Sequence, residues 1–216
     1  GKLAGAAVFS QPMNQRVVPC YAGPGAVGCE LGRFVLLDEV EGNGETWFLK
    51  RAFHLLKKHK PHFDWTVMYS DPVPRKTEDG VIVKPGHFGT IYQAKGCQYL
   101  GRSSGRALLL GPDGRVLNRR TISKVRAGPN HKGYDYASKL LLEAGCRPRR
   151  DEEDPSSYVQ SVTSNLRRLP HPGNHVYLWG LAPSTRRRGP GSRPYPKRFH
   201  EAIRSVQSAQ STQTED

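Results

Sequence analysis

The chain of 216 residues is long enough for one domain with a small appendage, and its apolar content of 36% supports a core for part of that length only. Its 33 Lys and Arg against 19 Asp and Glu give a net charge of +14, which favours a polyanionic partner over a surface that is basic for solubility alone. No apolar run approaches the roughly 20 residues of a membrane-spanning helix, and four scattered cysteines lack the spacing of a zinc site or a disulfide framework. We therefore expect a nucleic-acid-binding protein of the reducing cytoplasm, without a membrane partner.

The first part of the chain predicts two strands followed by a helix. Residues 3–9 form a short apolar run that ends before Pro12, as buried strands do. A Gly-rich loop leads to a second strand over residues 30–40, and apolar residues at helical spacing predict a helix from Thr46. The turn before this helix allows a ligand phosphate to approach the helix N-terminus, or is simply a turn with Thr46 as the N-cap. It consists of Gly42, Asn43, Gly44, Glu45 and Thr46.

The middle of the chain carries the residues best suited to chemistry. A strand over residues 64–69 is ended by Asp71-Pro72, an exposed hairpin or loop follows over 73–85, and residues 86–94 predict a short helix. Asp71 at the strand end could bind a metal or act as a general base, or simply form an Asx-turn. His87 in the first helical turn and Tyr92 could share a metal or a proton path with it, although a lone histidine there is more often a plain polar contact.

The remaining segments complete an α/β order, with functional loops expected at the carboxyl ends of strands. They are a strand from Gln98, a hairpin over 107–117 with its turn at 111–114, a helix over 134–144, a charged linker with few contacts over 147–157, a last strand over 176–181, and a disordered basic tail from 183. This order predicts a core over 1–146, an extension over 147–182 and a tail over 183–216. Candidate DNA contacts are Lys124, Arg126, Arg186, Arg187, Arg188, Lys197 and Arg198.

Several of these segments together resemble known proteins. The order LAGAAVFSQP, ELGRFVLLDE and a Gly-containing turn that opens a helix is similar to the central part of a GNAT-fold acyltransferase, in which loop and helix cradle the pyrophosphate of an acyl-coenzyme A. More narrowly, YSDP followed by GHFGTIYQAKGCQYLGRS resembles the Mom family of phage DNA-modification proteins. The segment HPGNHVYLWGL near residue 175 resembles the same family, so the likeness spans residues 3–103 and this later strand.

The resemblance implies an enzyme that transfers a carbamoylmethyl (methylcarbamoyl) group to the exocyclic amine of adenine in double-stranded DNA, which protects phage DNA from restriction. It implies a GNAT-like mixed central sheet flanked by helices, and an acyl-coenzyme A or another activated acyl or glycyl donor held at residues 42–46. It also implies an active site with Asp71 and Tyr92, around iron as a candidate metal, together with Arg33 on the second strand and His87 in the Gly-His motif.

The sequence departs from the family pattern at two places. The family has a His-bearing motif ahead of the first strand seen here, so we expect a chain that lacks the N-terminal part of the fold. Residues 73–85 separate Asp71 from the Gly-His motif more widely than in compact members, and a hairpin there would preserve the geometry.

Two other functions stay open. One is a GNAT N-acyltransferase that acts on a protein or small-molecule amine, and the other is a non-catalytic basic DNA-binding protein. Adenine modification requires the base to leave the stack and to rest against an aromatic side chain, although most aromatic residues near strands belong to the core. The candidates for this contact are Trp65, Tyr69, Phe88, Tyr92 and Tyr99. The oligomeric state has no signal in the sequence.

Overall fold

The computed structural model of the chain describes residues 2–197. Its helices and strands are, in chain order, β1 (Gly5–Ser10), α1 (Val17–Ala22), β2 (Gly28–Leu36), α2 (Gly44–His59), β3 (Trp65–Ser70), β4 (Arg75–Lys76), β5 (Ile82–Lys84), α3 (Thr90–Ala94), β6 (Gln98–Arg102), β7 (Arg106–Leu110), β8 (Val116–Leu117), α4 (Arg119–Arg126), α5 (Tyr134–Glu143), α6 (Pro155–Ser164), β9 (Arg167–His171), β10 (His175–Gly180) and α7 (Pro183–Arg187).

The chain folds into two compact units that are each discontinuous in sequence. The described part of unit 1 comprises residues 2–71, 87–103 and 174–197, and unit 2 comprises 72–86 and 104–173. The sequence instead predicted three parts that follow one another along the chain, over residues 1–146, 147–182 and 183–216. The order differs because β10, near the end of the chain, pairs with both β3 and β6 and so completes the sheet of unit 1.

Unit 1 is built on a mixed five-stranded sheet of order β1-β2-β3-β10-β6, which confirms the predicted mixed sheet flanked by helices. Strands β2 and β3 are parallel and are joined by the crossover helix α2, whereas the other pairs are antiparallel. The parallel ladder runs from Gly28↔Trp65 to Leu31↔Met68, and β2 then continues beside β1. The carboxyl ends of β2 and β3 therefore lie at the same edge of the sheet.

Each face of this sheet buries an apolar layer against a helix. On one face Leu49 and Phe53 of α2 pack against Met68 and Tyr177. On the other, Val18 of α1 packs with Val67, because alternate residues of a strand point to opposite faces. The sequence did not predict α1, which lies inside the supposed Gly-rich loop. The second strand also ends at Leu36 rather than residue 40, since the chain turns there.

Unit 2 contains the hairpin β4–β5, a three-stranded sheet of order β8-β7-β9, and helices α4, α5 and α6 around a core that includes Val125, Leu141 and Val159. The hairpins predicted over 73–85 and 107–117 are confirmed, as is the helix near 134–144. Helices α4 and α6 and strand β9 were not predicted. The expected linker over 147–157 is wrong, because the Tyr158 hydroxyl donates to the Arg147 carbonyl at 2.6 Å and α6 already begins at Pro155.

The prediction of a disordered tail from residue 183 is wrong as far as residue 197. After α7 the chain follows the outer edge of β6, where Arg193 N donates to the Tyr99 carbonyl at 2.8 Å and Tyr99 N donates to Ser192 Oγ at 2.9 Å. The Tyr195 hydroxyl donates to the Cys97 carbonyl at 2.8 Å. These bonds satisfy backbone groups of an edge strand, which a disordered tail would leave exposed. Residues 198–216, including the predicted contact Arg198, lie outside the described residues.

Across residues 2–197, no helix is both long and apolar enough to span a bilayer.

Candidate active site

The carboxyl end of β3 brings two separated motifs together. Asp71 directly follows β3, and its carbonyl accepts a hydrogen bond from His87 N at 2.7 Å. The intervening residues form the expected hairpin, so the insertion keeps the backbone of both motifs in contact. His87 itself is exposed and lies before α3, whose N-cap is Gly89. The prediction that His87 lies in the first helical turn is therefore wrong.

A network of hydrogen bonds holds the Gly-His segment against β10. Gln93 Nε2 donates to the Phe88 carbonyl at 2.8 Å and to Tyr177 Oη at 3.1 Å, and the Tyr177 hydroxyl also donates to the Phe88 carbonyl. Gly89 has φ +69°, and a Cβ at this position would lie 2.5 Å from Tyr177 Cε2. Only glycine fits both the left-handed backbone and this close approach.

His175 lies at the start of β10, directly opposite Ser70 of β3. Its side chain is fully buried, with Nδ1 2.9 Å from Tyr99 Oη and its ring 5.7 Å from the Phe88 ring. Burial, and then the nearby cation of Arg102, lower the pKa of His175 to about 4. The imidazole is therefore neutral at pH 7, and serves there as a hydrogen-bonding group rather than as a cation.

Two further polar residues lie next to His175. Asn174 precedes it in the chain, and Ser70 is its partner in the ladder between β3 and β10. Ser70 Oγ and Asn174 Oδ1 are buried, and within residues 2–197 neither has a hydrogen-bond partner. A buried polar group without a partner costs about 1–3 kcal/mol, and native proteins rarely keep one without a reason. These atoms are suited to meet a donor and acceptor from a bound molecule.

Tyr92 belongs to the apolar core rather than to an open site. Its ring lies 5.3 Å from that of Tyr177, and burial raises the pKa of Tyr92 to about 12, so the phenol is protonated at pH 7. Among the described residues, no group of three or more His, Cys, Asp or Glu side chains could hold a metal ion. Iron at Asp71 and Tyr92 therefore stays a prediction.

Arg33 is exposed on β2, two positions beyond the last residue of β2 that pairs with β3. Since β2 and β3 are parallel, Arg33 lies at the same sheet edge as Asp71. This placement is compatible with a shared site and does not assign a role to Arg33.

The turn before α2 has backbone amide groups that suit a pyrophosphate, but its charged side chains are negative, like the pyrophosphate itself. Asn43 is the N-cap with φ +68°, and Thr46 Oγ1 donates to its carbonyl at 3.0 Å, so the prediction of Thr46 as N-cap is wrong. In the part of the chain that the structure describes, the N–H groups of Glu45 and Thr46 have no acceptor. Residues 37–46 nevertheless carry four acidic side chains and no basic one, and their negative charges oppose a bound polyanion.

The basic residues predicted to contact DNA differ in how exposed their side chains are. The Arg186 guanidinium donates to the Gly180 carbonyl at 2.9 Å and lies 4.7 Å from the Trp179 ring, so it supports the fold. Arg187, Arg188 and Lys197 are exposed in unit 1. Lys124 is half-buried and Arg126 exposed on α4 of unit 2.

The aromatic candidates for base stacking also differ in exposure. Trp65, Tyr92 and Tyr99 are buried, whereas Tyr69 and Phe88 are half-buried.

Sequence reasoning missed the polar residues that flank Asp71. Ser70, Asn174 and His175 all stand in motifs quoted above, YSDP and HPGNHVYLWGL. The signal that could have found them is a polar residue at the buried end of an apolar strand. What the sequence cannot supply is the pairing of β3 with β10, which joins residues more than 100 positions apart.

A model of the Mom protein family matches residues 1–197. No individually curated protein matches the chain. The family match covers most of the chain, so the protein belongs to the Mom family, whose members act in phage DNA modification with DNA as the substrate.

Proposed function

We propose that this member of the Mom family transfers a carbamoylmethyl (methylcarbamoyl) group to the N6 amine of adenine in double-stranded phage DNA, in the host cytoplasm, and so protects the DNA from restriction. The observation that supports this proposal most is the meeting of three motifs at one edge of the sheet. The end of β3, the Gly-His segment and the start of β10 are joined there by backbone and side-chain hydrogen bonds.

The chemistry requires a base and a place for adenine. The N6 lone pair is delocalised into the ring, so the amine must lose a proton as it attacks. In the proposed step N6 forms a bond to the CH2 carbon of a donor that carries the carbamoylmethyl group, the bond from that carbon to its leaving group breaks, and the leaving group takes the electron pair. The Asp71 carboxylate takes the N6 proton. General-base catalysis of this kind contributes about 10²–10⁴-fold.

The flipped adenine needs hydrogen bonds to its edge, which is how base-modifying enzymes select a base. Ser70 Oγ and Asn174 Oδ1 are buried atoms suited to that purpose, and the amide of Asn174 can both donate and accept. The ring of Phe88 is half-buried and is our candidate for stacking on the base. His175 acts as a positioning residue, because its neutral imidazole holds the Tyr99 hydroxyl at 2.9 Å.

We propose in addition that unit 1 has a GNAT-like fold, which the connection β2–α2–β3 supports. This connection is a parallel pair with a crossover helix, and the strands are paired over four positions only. Ligands of such sheets bind beyond the carboxyl ends of the strands. The acidic side chains of residues 37–46 oppose the pyrophosphate of coenzyme A at this turn, so the donor we propose carries the carbamoylmethyl group on a different leaving group. Catalysis through a metal is not needed for the step described above.

Nucleoside mass spectrometry of plasmid DNA from cells that express the chain tests the proposal. We expect an adenine-derived nucleoside with the added carbamoylmethyl mass, and its loss with Asp71→Asn. The matched control is Asp64→Asn, which changes an aspartate before β3 rather than after it. A soluble protein that leaves all DNA unmodified would contradict the proposal, and acylation of a protein or small amine instead would favour the acyltransferase alternative.

A further inference from the structure

Unit 2 contains a cavity of about 330 Å³ where strand β8 gives way to helix α4. Strand β7 pairs with β9 over all five of its residues, but β8 pairs only with Leu109 and Leu110. The chain then leaves the sheet at Asn118, whose side chain accepts from Arg120 N at 2.9 Å and caps α4. On the side of β7 that faces β8, its first three residues therefore border the cavity and not a strand.

Three arginines line this cavity and no acidic residue does. Arg106 stands at the start of β7, Arg168 lies opposite Leu109 on β9, and Arg119 is the first residue of α4. All three are exposed, and within residues 2–197 none of their side chains has an ion pair or a hydrogen bond to protein atoms. Like charges around one cavity repel each other, so a bound anion would stabilise this arrangement.

Helix α4 extends the positive charge away from the cavity. At 100° per residue its buried side chains Thr121, Ile122 and Val125 face the core of unit 2. Its cations occupy the opposite side, within an arc of about 160°. They are Arg119, Arg120, Lys124 and Arg126. The helix carries no acidic residue, and its eight residues extend over about 12 Å, longer than a single phosphate group needs.

We infer that the cavity and this side of α4, together the α4 cationic surface, bind the phosphodiester backbone of duplex DNA. The row of cations beyond the cavity favours a chain of phosphates over one free phosphate, and guanidinium groups pair well with phosphate oxygens. The choice of DNA as the polyanion rests on the proposed function. Contacts of this kind position DNA and do not read its sequence.

The test is the salt dependence of binding to an unmodified 20-base-pair duplex, measured by fluorescence anisotropy between 50 and 300 mM NaCl. We expect the triple variant Arg106→Ala, Arg119→Ala, Arg168→Ala to lower the slope of log K against log salt by about 2.7. Its affinity at 150 mM salt should fall about a hundredfold. The same three positions changed to Lys should retain most of the slope, since the positive charges remain.

A matched control removes three positive charges elsewhere, by Lys58→Ala, Lys139→Ala and Arg150→Ala, which are exposed and outside the α4 cationic surface. Its slope should stay within about 1 of the wild-type value. If the triple arginine variant fails to fold, Arg120→Ala with Arg126→Ala on the exposed side of α4 should still lower the slope by about 1.8.

Two results would overturn the inference. One is a triple variant with the wild-type slope, or a control variant that loses as much slope. The other is binding of ADP, measured by calorimetry, that disappears in the triple variant while its DNA slope is unchanged, since this would mark a site for a small phosphate compound. The anisotropy measurement uses unmodified DNA, and neither measurement uses the donor, so both stand even if mass spectrometry finds no adenine product.

Discussion

The two units differ in the side chains that they present at their candidate functional surfaces. Unit 1 buries polar groups at the end of its sheet, namely Ser70, Asn174 and His175, next to Asp71. Unit 2 buries aliphatic residues such as Leu141 between its helices, and presents its arginines at the surface. Buried polar groups cost stability and are worth keeping where chemistry needs them, whereas exposed cations cost little and suit a charged partner. We therefore propose that unit 1 carries the chemistry and that unit 2 positions the DNA.

The largest effect should come from separating these two tasks by mutation. Asp71→Asn should reduce the rate at which adenine is modified by about 10²–10⁴-fold, because the proposed base loses its charge. The affinity for duplex DNA should stay within about twofold, since one half-buried carboxylate contributes little to phosphate binding. The measurements are a mass-spectrometric time course after induction and fluorescence anisotropy with the purified variant.

The triple arginine variant of the α4 cationic surface should behave in the opposite way to Asp71→Asn. It should bind DNA weakly but keep the residues of the reaction site unchanged. At saturating DNA it should retain the wild-type rate. If both variants lose binding and rate together, the division of tasks between the units is wrong.

A core mutation in each unit should show whether the units also differ in stability. Leu141 is fully buried in unit 2, so Leu141→Ala should lower the free energy of unfolding by about 2–5 kcal/mol. Hydrogen exchange should then accelerate for the amides of α4, α5 and α6 and stay slow in the sheet of unit 1. Met68→Ala, at a fully buried position of β3, should give the opposite pattern. Equal acceleration in both units for either variant would show that they unfold as one.

The fold of unit 1 was more predictable than that of unit 2, for a physical reason. Strands β1, β3 and β10 are apolar runs that end at Pro12, at Asp71-Pro72 or at Gly180, so their pattern is visible locally. Strand β9 reads Arg-Arg-Leu-Pro-His and α4 carries four cations in eight residues, so neither resembles a buried element. Their stability comes from packing against distant residues, which local patterns do not contain.

The candidate site was predicted in part. Motif likeness selected Asp71 and the Gly-His segment, and the His87–Asp71 backbone hydrogen bond at 2.7 Å confirms that they meet. The burial of Tyr92 and the position of His175 opposite Ser70 depend on tertiary contacts. No residue type or spacing in the sequence determines them.

The burial of His175 predicts a pH dependence of stability. Its folded pKa is lowered to about 4, below the ordinary value near 6.5, so the unfolded chain binds the proton first. Stability should therefore fall as pH drops from about 6.5 towards 4, by roughly 2 kcal/mol from this residue. Urea unfolding at pH 7 and pH 4.5 measures it, and His175→Asn should reduce the difference by that amount. An equal difference in His175→Asn would show that other groups, chiefly carboxylates, cause all of it.

The smallest effect concerns Asn43, and it separates stability from chemistry within unit 1. Asn43 holds φ +68° at the start of α2, and its side chain makes no capping hydrogen bond. Glycine adopts this conformation without strain, so Asn43→Gly should raise the free energy of unfolding by up to about 1 kcal/mol. Alanine adopts a positive φ less readily than asparagine, so Asn43→Ala should lower the free energy of unfolding by a similar amount. Thermal unfolding of both variants measures these changes.

If the turn at residues 42–46 holds the donor, the more stable Asn43→Gly variant should modify adenine more slowly, because a looser turn aligns the donor less well. If the donor binds elsewhere, the rate should stay unchanged while stability rises. A faster rate would contradict both possibilities. The sign of the change in rate thus locates the donor relative to α2, independently of the α4 cationic surface, since the substitution alters no charge.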